Sequence, residues 1–72
     1  MNASDLAKIL KANYNSPPSG RKTVEIHLFG IRHANALKVI NIDEVVALAG
    51  ISKNYATEIR KGIALADFVK PV

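Results

Sequence analysis

Seventy-two residues make one small domain near the lower limit for a self-sufficient core. A chain of this size hides only about 60% of the surface it exposes when unfolded. With no cysteine, neither a disulfide nor a thiolate metal site can reinforce it. Ten Lys/Arg against six Asp/Glu give a formal charge of +4, which favours anionic partners but is too mild to name one. The N-terminus has charges spread through it and no signal-type apolar core, and no apolar run is long enough to span a bilayer. A cytoplasmic protein without a membrane partner is the expectation.

The first predicted helix runs from Ser4 to about Tyr14, with Leu6, Ile9, Leu10 and Tyr14 at helical spacing. Ser4 is the expected N-cap, and Asp5 suits the positive end of the helix dipole. The stretch Asn15-Ser16-Pro17-Pro18-Ser19-Gly20 then breaks the helix, and Arg21 and Lys22 follow. In the next segment Val24, Ile26 and Leu28 alternate as in a strand, while Val24, Leu28, Ile31 and Ala34 recur at helical intervals. A lone strand has no partner elsewhere in the chain, so a helix over 24–37 is predicted, capped by Thr23 with Glu25 in its first turn. Gly30 inside it costs about 1 kcal/mol relative to Ala, and its missing side chain permits close approach of a neighbouring backbone.

Val39-Ile40 forms a short linker. Asn41 and Glu44 have capping-box spacing at the start of a helix over 42–49, which buries Ile42, Val45, Val46 and Ala49. Gly50 ends that helix in the left-handed conformation, and Ser52 caps another that runs to Lys61, with Gly62 as a second stop. The apolar tail, Ile63 to Val72, is expected to fold back and complete the core.

The segment EVVALAGISKNYATEIRKG resembles the helix-turn-helix of bacterial and phage repressors, particularly the lac-repressor type. Gly50 stands at the turn, followed by apolar Ile51 and Ser52, and Val45, Ala49, Ile51 and Ile59 fall where that motif buries side chains. The chain is also similar to small bacterial helix-turn-helix-like proteins with an HLFGI-type segment before the motif. The repressor motif favours Ala where this chain has Val46, and Val or Ile where it has Ala56. These sites face each other in the motif, which implies an exchange of volume across the contact.

The resemblance implies one all-α domain over 1–72, with four to five short helices and a trihelical core around a motif at 41–62. It also implies that residues 52–61 form a recognition helix for the major groove. Helical rotation with Ala56 and Ile59 inward sends Asn54, Thr57, Glu58 and Lys61 outward, flanked by Lys53 and Arg60. Asn54 suits a bidentate contact to adenine, and Thr57 a thymine methyl or a phosphate. Lys53, Arg60 and Lys61 suit phosphate or guanine, and the amides at Ser52 can hold a phosphate. Arg21 and Lys22 are weaker candidates for backbone contacts. Glu58 is acceptable on such a face only by accepting from cytosine N4, and Asp43, Glu44 and Glu58 cancel the three cations of the motif.

DNA is therefore the expected partner, in a sequence-specific bacterial or phage transcriptional regulator. The alternative is a protein-interaction or self-assembly module on the same scaffold. A homodimer would use Ile63 to Val72 or the exposed part of the Phe29 segment. No cofactor, metal or catalytic group is expected. His27 and His33 stand six apart, away from same-face spacing, and read as surface or boundary histidines without a carboxylate partner. Asp43-Glu44 fits helix N-terminal electrostatics, and Gly20-Arg21-Lys22-Thr23 lacks the order of a phosphate-binding loop.

Overall fold

The computed structural model describes residues 1–15 and 21–70, and among them every regular element is a helix. Five occur in order: α1 Ala3–Asn15, α2 Lys22–Arg32, α3 Ala34–Leu37, α4 Ile42–Ala49 and α5 Tyr55–Leu65. The expected all-α architecture is present, and 24–29 is helix rather than strand. The expected break after Asn15 lies outside the described residues for 16–20, as do the last two residues of the tail.

Apolar periodicity becomes a single core. Leu6, Leu10, Ile26, Phe29, Leu37, Val45, Val46 and Ile59 are completely or almost completely buried, with Ala7, Ala49 and Ala56 between them. Ile9, Tyr14, Ile42, Ile51, Tyr55 and Ile63 pack partly buried against this cluster. α1 lies against α2 and α4, and α5 lies chiefly against α2.

Several ends differ from the sequence reading. The cap of α1 is Asn2, not Ser4: Asn2 Oδ1 accepts from the Asp5 amide at 2.8 Å. The Asn2 amide faces Asp5 Oδ2 in return, at 3.5 Å. Thr23 does not cap α2, because that helix begins a residue earlier, at Lys22, and the cap position is Arg21 without a side-chain bond. The single helix expected over 24–37 is divided at His33, whose backbone (φ −113°, ψ 20°) leaves the helical range. This turn redirects the chain so that Ala34 and Leu37 reach the core.

The α4 boundaries agree with expectation. Asn41 Oδ1 accepts from the Glu44 amide at 3.2 Å, and Gly50 closes the helix at φ 74°. Ser52 Oγ accepts from the Asn54 amide at 3.3 Å, but it caps a turn rather than the helix itself. Tyr55 and Ala56 amides donate to the Ser52 and Lys53 carbonyls, a tight turn that hands over to α5 at Tyr55.

Gly62 is not a stop. α5 passes through it to Leu65, and Gly62 lies buried against Gly30 of α2. A Cβ on Gly30 would stand 2.6 Å from the Ile59 carbonyl oxygen and 3.0 Å from Gly62 Cα. A Cβ on Gly62 would collide with the His27 carbonyl oxygen and stand 3.0 Å from Gly30 Cα. The close approach expected at Gly30 is thus a glycine-on-glycine crossing of two helix backbones. Among the described residues of the apolar tail, Ile63 packs against the core; Leu65, Phe68 and Val69 are exposed, Phe68 at 85%.

Two stability outcomes follow. Gly62→Ala gains about 1 kcal/mol of helix propensity but forces α2 and α5 apart, an overpacking cost of about 1–3 kcal/mol. A lower melting temperature is therefore expected, and a rise would contradict the crossing. Val46 and Ala56 are both buried in the core cluster. Val46→Ala should cost about 2 kcal/mol, and adding Ala56→Val should restore part of it. A double mutant that melts no higher than the single one would disprove the volume exchange.

Candidate nucleic-acid interface

α5 is held from behind at three places along its length. At its start, Tyr55 meets the Tyr14 ring edge-on, with centroids 5.3 Å apart. The side-chain hydrogen bond to Tyr14, helped by partial burial, raises the Tyr55 hydroxyl above the usual tyrosine range. Ala56 and Ile59 enter the core in the middle, and Gly62 seats the C-terminal half on α2. The side of α5 away from these contacts carries Thr57, Arg60, Lys61 and Ala64, all exposed. Ser52, Lys53 and Asn54, also exposed, precede it in the turn.

Of the predicted site residues, the structure brings Lys53, Asn54, Thr57, Arg60 and Lys61 onto one exposed surface. Ser52, Lys53 and Asn54 are not on the helix itself, since α5 begins at Tyr55, so the expected recognition helix over 52–61 is a turn followed by a helix. Its far end extends beyond Lys61 to Leu65.

Glu58 is not at the centre of this surface. It turns toward α2, its side chain one-quarter exposed, where Oε2 accepts from His27 Nε2–H at 2.8 Å. Lys61 Nζ donates to the other oxygen, Oε1, at 3.2 Å. The His27 hydrogen bond first, and Lys61 second, hold the Glu58 carboxyl below the usual glutamate range. His27 therefore does have an organised carboxylate partner, contrary to the sequence reading. A separation of 31 positions along the chain left no local signal of it.

The opposite flank of α5 meets α4. Arg60 reaches Asp43 Oδ1 at 3.5 Å, both side chains more than half exposed. An ion pair of that exposure contributes about 0–1 kcal/mol, so it orients the guanidinium more than it stabilises the fold. Lys53 is in no ion pair among the described residues.

Arg21 and Lys22 lie toward the same end as Tyr55 but differ from each other. Lys22 Nζ donates to the Tyr14 carbonyl at 3.0 Å and lies 4.1 Å from the centre of the Tyr14 ring. It thereby supplies a cation to the C-terminal end of α1, whose own last turn has none. Arg21 is exposed at the start of α2. Phe29 itself is buried, Val24 on the same helix is exposed, and the large exposed apolar residues in the described part of the tail are Leu65, Phe68 and Val69.

The arrangement is a short helix with a polar, cation-bearing ridge, packed on its reverse side and preceded by a turn whose Asn54, Tyr55 and Ala56 amides are already bonded. It can present side chains to a groove of matching width without rearrangement. No curated protein and no solved structure matches the chain. The family model described as an HTH-like domain matches residues 2–72, and the chain belongs to that HTH-like family.

Proposed function

We propose that this protein binds DNA in a sequence-specific manner, with the turn at Ser52–Asn54 and helix α5 in the major groove. The observation that carries this reading is the exposure of Lys53 and Asn54 in the turn, and of Thr57, Arg60 and Lys61 on a helix anchored at Tyr55, Ile59 and Gly62. Membership of an HTH-like family supports it. Asn54 and Thr57 would face base edges, and Lys53, Arg60 and Lys61 phosphates or guanine. Ser52 would lend amides at the turn, and Arg21 would add a backbone contact beside Tyr55. Lys22 supports α1 and contributes only at longer range. Glu58 accepts from His27 and Lys61 instead of reading cytosine. The role is non-catalytic, in a bacterial or phage-type transcriptional regulator.

A second reading is favoured by the exposed Leu65, Phe68 and Val69. With His27, Lys61 and Ala64, Leu65 and Phe68 line a groove of about 370 Å³. This surface suits self-association, either alone or as the means of pairing two DNA-binding units on adjacent half-sites.

NMR chemical shifts on addition of a non-specific duplex at low salt separate the readings. DNA binding is expected to move Lys53, Asn54, Thr57 and Lys61, and raising the salt should reverse the shifts. Silence at those residues, with shifts over 63–70 on raising protein concentration, would replace DNA binding by self-assembly.

Variants sort the contacts further. Lys53→Ala should weaken binding to all duplexes alike and lower the salt slope by about 1. Asn54→Ala should cost about 1–3 kcal/mol of discrimination at one base position. A uniform loss on Asn54→Ala would remove its assigned base contact.

A further inference from the structure

His27, Glu58 and Lys61 form a network shared between α2 and α5, beside the surface assigned to DNA. The two partners of Glu58 use different oxygens, Oε2 for His27 and Oε1 for Lys61, so both are held at once. His27 and Lys61 are the only charged or titratable groups that act on Glu58 among the described residues. α2 supplies the first and α5 the second, while α1, α3 and α4 supply none. Ala64, Leu65 and Phe68 complete the groove in which His27 and Lys61 lie, so the rest of that lining is uncharged.

The charge of this network depends on one proton. With His27 neutral, the Glu58 carboxylate is balanced by Lys61 alone, and the three side chains sum to zero. With His27 protonated, the imidazolium balances Glu58, and the Lys61 charge is left over. Lys61 is 60% exposed on the outward side of α5, where that charge meets an approaching polyanion.

We propose that His27 is a positioning residue for the nucleic-acid surface: its protonation offsets the Glu58 carboxylate, leaves the Lys61 charge uncompensated toward a phosphate, and tightens duplex binding as pH falls. This rests on the DNA reading above. It assigns Glu58 a restraining part, because its carboxylate offsets the Lys61 charge while His27 is neutral.

Fluorescence anisotropy with a labelled 20-base-pair duplex at low salt, from pH 8 to pH 5.5, tests it on the full chain. Wild-type affinity should rise by about threefold to tenfold, the size expected for one further exposed charge beside a phosphate. His27→Gln keeps an N–H donor for Glu58 but cannot charge, and should lose that rise. Glu58→Gln removes the offsetting carboxylate and should bind more tightly than wild type at pH 8.

His33→Gln is the control. That histidine packs on Phe29 at 5.2 Å and is held below the usual histidine range by burial and then by Arg32, so the response should survive its replacement. Circular dichroism melts at both pH limits establish that each variant is folded. A merely structural role for Glu58 would make Glu58→Gln weaker at every pH, which would overturn the proposal. A wild-type profile equal to that of His27→Gln would overturn it while leaving DNA binding intact. No duplex binding at any pH would overturn the DNA reading, and this inference with it.

Discussion

The contact on which the rest depends is the crossing of α2 over α5 at Gly30 and Gly62. Neither helix has a side chain there, so their backbones meet at a separation that any Cβ would prevent. The consequence reaches beyond packing. His27 lies one turn before Gly30, and Glu58 one turn before Gly62, so the same close approach sets the 2.8 Å hydrogen bond between them. Displacing α5 by the width of a methyl group would stretch that bond, so its geometry depends on two residues that contribute no atoms to it.

α5 also owes its orientation to packing rather than to its ion pairs. Its pairs with α4 and within itself are half exposed or more on the basic side, and such pairs contribute little. Burial of Ile59, Ala56 and Gly62, and the edge-on seat of Tyr55 on Tyr14, do the holding. A helix fixed in this way loses little freedom when it meets a partner, which lowers the entropic cost of association. Gly50, in the left-handed conformation, completes the support by turning the chain from α4 toward α5.

How much was legible in the sequence depended on how local each signal was. The Asn41 cap, the limits of α4, the Gly50 turn and the core positions Val45, Val46, Ala49 and Ile59 were readable because each depends on neighbours within a few residues. The division at His33 was not: the helical period of 24–37 continues through it, and only the demand that Leu37 reach the core interrupts it. Gly62 was misread because a helix-ending glycine and a glycine at a helix crossing are the same letter. Half of the crossing, Gly30, was readable because a glycine inside a helix needs a reason. The exposure of Thr57, Arg60 and Lys61 was recoverable from rotation about α5, with Glu58 as the exception. Its partner is on another helix, and rotation about a single axis cannot show which flank a neighbour occupies.

The even charge balance of the motif looked like an argument against nucleic acid when read as a sum. As an arrangement it reads differently. Asp43 lies on the α4 flank against Arg60, and Glu58 on the α2 flank against His27 and Lys61. The carboxylates border the ridge from both sides while Thr57 and the cations occupy it. Because the Arg60 and Lys61 pairs are exposed, exchanging a carboxylate for a phosphate costs about 0–1 kcal/mol each. In the free protein those pairs keep two long side chains from wandering. A duplex would find them already aligned, and its phosphates, being more numerous and fixed in register, would outcompete the two carboxylates.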